Sequence, residues 1–578
     1  MPVIRDDRLH YHRWLLARML THEDFHRQRL AVHHLAQRPL ISVITPVYNT
    51  QPNILRRMLA SVKYQTYPFW ELCLVDDGSS EEWITPFLER EAAADTRILF
   101  RHRGQNGGIV AASNDALALA TGEYAAFVDH DDVLEPQALY EVVRTINDHP
   151  DADVVHSDFD FLERDGVPTN PALWPAWSPE RLQTMPYTVH LRVYRRSCIA
   201  AVGGFRAGFD GGQDYDLALR LSEQTQNVVH IPQVLYHWRA GGSSAALNAE
   251  AKPYAFEAAS QALSEHLERM GLPATRMPAP ILGMHGLRFD GAALPPVSIV
   301  AAVSPCDDDQ PAQALEHVAA CLCSLTASAD VQLSDIVVAA PERWHADLRK
   351  ALSSLPTDRW RLVPFPAEAD AHDVKSQPAD RARALNTAAR HATGDLLLVI
   401  GEDLEAISDA WMSQLAGYAY QKAIGAAGPK IFTPNDTVAH AGIVLPRGRP
   451  RPVHAGDPHG SYGRYGALAL ASNYTAVSGA CLMTRRSVFD EVGGFRSAAD
   501  VGHSDVDYCL RLRARGYRNV FTGYAVLRQL ALQPPLPAEV EEAQFAAFRA
   551  QWPLLPDVDE YYNPNFDQES GSFRLGPA

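Results

Sequence analysis

Two stretches of this 578-residue chain repeat each other. Asn114 to Asp132, NDALALATGEYAAFVDHDD, is echoed by Asn386 to Leu404, NTAARHATGDLLLVIGEDL, with Asn, Thr-Gly and the closing acids at the same spacing. VGGFRAGFDGGQDYDLALRL (202–221) returns as VGGFRSAADVGHSDVDYCLRL (492–512), one residue longer, and SVITPVYN (42–49) has a counterpart in VSIVAAVS (297–304). Self-similarity of this kind means that one structural unit is present twice. The Pro-rich segment LPATRMPAPILG (272–283) and Pro295-Pro296 mark the division between the copies.

Within the first copy, β-branched segments alternate with helical ones: ISVITPVYN (41–49), ELCLVDDGSS (71–80), RILFRHR (97–103) and EYAAFVDHDD (123–132). That alternation predicts an α/β fold with a largely parallel sheet. Ligands then bind at the carboxyl ends of the strands, where the polar residues cluster. Ahead of it, Leu15, Leu16, Met19, Leu20, Leu30 and Leu35 recur at helical spacing among many Arg and His, predicting one or two amphipathic helices before Pro39. The expected division is a helical segment over 1–38, a complete domain over 39–285, a related domain over 290–535, and a helix with an extended tail over 536–578.

Lys and Arg number 52 against 69 Asp and Glu, a net charge of −17, which argues against nucleic acid as a partner and against broad attraction to anionic lipid, leaving room for a local basic patch. Seven scattered cysteines lack the paired spacing of zinc sites and read as small buried hydrophobes. The amino terminus has no apolar signal core and no segment reaches the ~20 apolar residues of a membrane helix, so the expectation is a cytoplasmic protein, with peripheral attachment to the inner membrane as an option. His22-Glu23-Asp24-Phe25-His26 matches a zinc-protease pattern, but its charged terminal helix provides no cleft.

Four positions carry stronger chemistry. At Val128–Asp132 an apolar strand ends in Asp-His-Asp-Asp; a helix cap accounts for one carboxylate, and three so close together call for a cation such as Mg²⁺ or Mn²⁺. Asp76-Asp77-Gly78 closes a second apolar strand, where it serves either as a turn or as an acceptor for a nucleoside. Asp214, after Gly211-Gly212 and at the start of LALRL, is either a cap or a base aimed into a cleft, and His237 in VLYHWR is either structural or a metal ligand.

Taken in order, TPVYN (45–49), LVDDGSS (74–80), NGGIVAASNDAL (106–117), VDHDD (128–132), GGQDYDLALR (211–220) and HIPQVLYHWR (230–239) resemble the inverting family 2 nucleotide-sugar glycosyltransferases of GT-A fold. The resemblance implies two GT-A-type, Rossmann-like domains in tandem. It assigns Asp214 as the base, Pro46, Tyr48, Asp77, Asn106 and Asp129 to the nucleotide sugar, and Asp131 and His237 to a divalent metal, Mn²⁺ or Mg²⁺. Gln213 stands where the family has Glu. The implied activity is metal-dependent hexosyl or rhamnosyl transfer from a UDP-, dTDP- or GDP-linked donor to a glycan, lipid-linked or protein acceptor in bacterial surface polysaccharide synthesis. The alternative is a non-catalytic nucleotide-sugar-binding scaffold. The second copy keeps Asp403 and Asp505 as a possible second site, yet has Ala339, Ala340 and Glu342 in the region of Asp77 and only Gly401-Glu402-Asp403 in place of the acidic cluster, so it is expected to be degenerate.

Overall fold

A computed structural model describes residues 8–163, 165–239, 253–303, 311–356, 358–365, 377–401, 404–497, 501–532 and 536–578. The chain divides into two compact units. The first takes in Arg5–Gly271, Leu282–His285 and Arg574–Ala578, and the second Leu272–Ile281 and Gly286–Phe573.

The first unit opens with α1 (Arg8–Leu16) and α2 (His22–Ala31), the latter started by a reciprocal Thr21–Asp24 capping box. There follow β1 (Ile41–Val47), α3 (Pro52–Lys63), β2 (Trp70–Asp76), α4 (Ile84–Ala94), β3 (Ile98–His102), α5 (Gly108–Leu119), β4 (Tyr124–Phe127), β5 (Val133–Leu134) and α6 (Ala138–Asp148). Next come β6 (Val154–Leu162), β7 (Pro168–Ala172), α7 (Pro179–Leu182), β8 (Arg192–Arg195), α8 (Arg196–Ala201), α9 (Gln213–Ser222), β9 (Val228–Arg239) and α10 (Pro253–Arg269). The strands lie in the order β3-β2-β1-β4-β8-β6-β9-β5, with β7 beside β6. Pairing is parallel among β1, β2, β3 and β4 and between β6 and β9. β8 runs antiparallel between β4 and β6, and β5 antiparallel to β9, so the sheet is mixed rather than largely parallel. β2 is buried at every residue, as a strand covered on both faces should be.

The second unit repeats this order strand for strand: 360–364, 333–340, 297–302, 396–400, 481–485, 424–432, 518–529 and 404–406. The echoed residues are the ones that brace the sheet. Asn114 exchanges two hydrogen bonds with the Phe205 backbone (2.9 and 3.1 Å), and Asn386 does the same with Phe495 (2.7 and 2.9 Å). Arg220 binds Asp216 and the carbonyls of Val202 and Gly204, while Arg511 binds Asp507 and the carbonyls of Val492 and Gly494. The Thr-Gly pair recurs for a steric reason: a Cβ at Gly122 would come to 2.5 Å from the Leu40 carbonyl oxygen, and one at Gly394 to 2.7 Å from that of Pro296. Beyond the sheet of the second unit, Ala538–Gln551 forms a helix, and the buried Asp559 carboxylate accepts from Leu445 N (2.7 Å) and Thr475 Oγ1 (2.6 Å).

The leading helices bury a different face from the one their leucines suggest. Tyr11 and Trp14 are buried, whereas Leu16, Met19 and Leu30 are exposed. Among the described residues no helix is long and apolar enough to cross a membrane.

Candidate active site

The carboxyl ends of β1, β2 and β4 open toward the loops that carry the acids. Just beyond β4, Asp129, Asp132 and His190 place one ligand atom each within 4.8 Å of one another. Tyr236, on β9, organises the group: its hydroxyl donates to Asp132 Oδ2 (2.5 Å) and accepts from the Asp129 amide (3.3 Å), and its ring stacks on His190 at 4.4 Å and 11°. The Arg239 amide donates to Asp132 Oδ1 (2.7 Å), and Arg239 Nε to the Asp131 carbonyl (2.8 Å).

Burial, then the charges of Asp131 and Asp129, push the Asp132 carboxyl well above the usual range. The same burial, aided by the Arg192 cation, holds the His190 imidazole well below its usual value, so the ring is neutral and keeps a lone pair. His190 Nδ1 is buried without a hydrogen-bond partner. The Asp129 and Asp132 carboxyls, whose mutual repulsion a cation would relieve, and the neutral His190 imidazole, whose Nδ1 lacks a partner, form a donor set that fits a divalent cation of the Mn²⁺ type.

Asp214 stands in the first turn of α9, a quarter exposed, and pairs with the buried Arg192 at 2.5 Å. Glycine is required just before it, because a Cβ on Gly211 (φ +83°) would meet Ala255 Cβ at 2.7 Å and one on Gly212 would meet Ala259 N at 2.7 Å. These contacts bring α9 against α10. Arg192 opens β8, two residues past His190, so one strand end delivers both the imidazole of the acidic group and the cation of the Asp214 pair. Asp216 has a separate task, buried between Arg206 and Arg220.

Around this centre the other expected residues lie as follows. Asp77 is buried and accepts from the amides of Gly107 and Gly108 (2.9 Å each) while pairing with Arg103 at 2.9 Å; Asn106 Nδ2 donates to the Asp77 carbonyl (3.1 Å). Both residues thereby anchor the start of α5. The Pro46 carbonyl holds His130 Nδ1 at 3.2 Å, and Tyr48 is exposed.

His237 differs from the sequence expectation. Its Nδ1 lies 2.6 Å from Asp160 and its Nε2 2.9 Å from Glu135, so both ring nitrogens are already engaged. Burial opposes its charge, but the two carboxylates prevail and raise it from 6.5 to about 10, giving an imidazolium held between two acids. The reason is strand alternation: Tyr236 points to the acidic group, so its neighbour points to the other face. The three-donor group comprises Asp129, Asp132 and His190, and Asp131 is not one of its three members. His190 escaped sequence reading because YTVHLRVYRR carries no motif and lies far along the chain from Asp129.

In the second unit, strand register aligns Gly401 with Asp129, Leu404 with Asp132, Ala480 with His190, Leu482 with Arg192, Leu527 with Tyr236 and Pro341 with Asp77. Asp403 lies outside the described residues. Asp505 lies in the first turn of the helix Ser504–Ala514 and accepts from Gly479 N and Val506 N at 2.9 Å each.

The family model for glycosyl transferase family 2 matches residues 42–208 and again 374–493. An uncharacterized protein, y4gI, of Sinorhizobium fredii is 34% identical over 94% of this chain and 59% of its own length. The O-antigen biosynthesis protein RfbC of Myxococcus xanthus is 33% identical over 93% of this chain and 41% of its own. A chondroitin synthase of Escherichia coli is 29% identical over 36% of this chain and 30% of its own. The chain thus spans about half the length of the first two relatives.

Proposed function

The chain belongs to glycosyl transferase family 2, and on that premise we propose that its first unit is an inverting, metal-dependent transferase working in bacterial surface polysaccharide synthesis. The observation that carries the reading is the adjacency of the Asp129–Asp132–His190 group to the Asp214–Arg192 pair, joined through the end of β8. The donor is a nucleotide-linked sugar, UDP-, dTDP- or GDP-hexose or rhamnose, and the acceptor a glycan, lipid-linked or protein hydroxyl.

Asp129, Asp132 and His190 would hold Mn²⁺ or Mg²⁺, which when bound neutralises charge on the departing nucleoside diphosphate. Asp214 receives the proton of the attacking acceptor hydroxyl, and attack from the face opposite the leaving group inverts the anomeric carbon. Arg192 fixes one oxygen of that carboxylate, leaving the other for the proton. Tyr236 and Arg239 hold Asp132 in register. Asp77, Asn106, Pro46 and Tyr48 shape the loops that receive the nucleoside.

The second unit fits a non-catalytic, scaffolding role, because Gly401, Leu404, Ala480 and Leu482 occupy the places of the acidic group and of Arg192. The test is a panel of UDP-, dTDP- and GDP-sugars assayed for transfer and hydrolysis with and without Mn²⁺, using the unaltered chain and Asp214→Asn. Donor binding that survives with transfer abolished in Asp214→Asn supports the assignment. Near-normal turnover in that variant removes it, and no metal-dependent response to any donor leaves a scaffold.

A further inference from the structure

The first leading helix has two apolar faces, and among the described residues only one is covered. Tyr11 and Trp14 are buried, and Tyr11 Oη donates to Asp160 (2.6 Å). Leu9 and Leu16, seven residues apart and so aligned on the opposite side, are 56% and 67% exposed. Met19 (67%) in the following turn and Leu30 (54%) in α2 are exposed as well. A single exposed leucine is ordinary; here the leucines are interleaved with cations. Arg13, beside Leu9 and Leu16 on the outward side, and Arg18, Arg27, Arg29 and Arg38 are all exposed.

Residues 8–38 hold six Arg against Glu23 and Asp24 alone, a local net charge of +4 in a chain whose total is −17. That contrast selects the occupant. A surface that is basic and apolar together, on a helix lying flat against its domain, matches the interface of an anionic bilayer, where leucines enter the acyl boundary and arginine stems reach back to the phosphates. We propose that α1, α2 and the turn between them form a docking face for anionic phospholipid, which brings the first unit to a membrane surface. The docking stands apart from whether this unit transfers sugar, and its readout is binding alone.

The experiment is co-sedimentation of the full chain with vesicles of phosphatidylglycerol mixed with phosphatidylcholine, and with vesicles of phosphatidylcholine alone, at low and high salt. Two double variants, Leu9→Glu with Leu16→Glu and Arg13→Glu with Arg29→Glu, alter exposed positions, and their melting curves check the fold. If the glutamates lower the melting temperature, Leu9→Ser with Leu16→Ser replaces the first pair. The expected result is salt-sensitive binding to the anionic vesicles only, reduced at least tenfold in either double variant. Binding to neither vesicle, equal binding to both, or variants that bind like the unaltered chain overturns the proposal. So does a dimer that Leu16→Glu dissociates in the absence of vesicle binding, since a second copy would then be the occupant.

Discussion

His237 allows the sharpest test of how the first unit is held together. Its imidazolium sits between Asp160 and Glu135, with Tyr11 donating to the other oxygen of Asp160. A group whose pKa rises on folding stabilises the fold fully below its unfolded value, and that contribution disappears as pH climbs through the folded value. Here the window runs from 6.5 to about 10. At roughly 1.4 kcal/mol per pH unit, the charge contributes several kcal/mol at acid pH, about half of that around pH 8 and almost nothing near pH 10. His237→Gln removes the cation and leaves Asp160 buried. Urea denaturation followed by tryptophan fluorescence, on both chains across that window, should give a stability gap that is widest near pH 6 and closes as pH rises. A gap independent of pH, or one that widens, refutes the imidazolium. Mn²⁺ titration of the same variant gives a second check: if His237→Gln weakens metal binding more than His190→Ala does, the assignment of ligand and brace is reversed.

Three further outcomes follow from the same geometry. His190→Ala should weaken Mn²⁺ binding, read by electron paramagnetic resonance, by ~10- to 100-fold, a loss comparable with that of other metal-supporting residues. Arg192→Leu, which installs the residue of the second unit, should cost about 3 kcal/mol in denaturant midpoint analysis by leaving Asp214 beside the acidic group without its cation, and Asp214→Leu in the same chain should recover part of it. Asp505→Asn should lower stability by about 1 kcal/mol, as the weakening of a hydrogen bond to a charged acceptor at a helix start does, with transfer unchanged; a drop in transfer would bring the second unit into the chemistry.

How much of this was legible in the sequence depends on which residues are considered. The two-copy architecture was plain, because the bracing residues Asn114, Gly122, Asp216 and Arg220 must recur wherever the same strand order does. The acidic end of β4 was also plain, since three carboxylates on one strand end need a partner. What sequence could not supply was direction. Adjacent strand residues face opposite ways, so His237 meets Asp160 and Glu135 while Tyr236 meets Asp132 and His190. His190 needed the antiparallel placement of β8 beside β4, a long-range pairing that no local pattern announces. The leucines of α1 misled in a similar way: helical spacing located the helix, but the aromatic side chains Tyr11 and Trp14 had more surface to bury and took the inner face.

The two sheets share an order but not a site, and this has a consequence for how such chains diversify. Hydrogen bonds that close the sheet and groups that could do chemistry reside on different side chains, so a duplicated copy can shed its reactive residues without loosening its frame. The reverse route is equally open: Pro341, Gly401, Leu404, Ala480, Leu482 and Leu527 are six substitutions away from the acids, imidazole, guanidinium and phenol of the first unit. The second unit is in that sense a ready-made blank, on which an active centre could be rebuilt by exchange of side chains at strand ends alone.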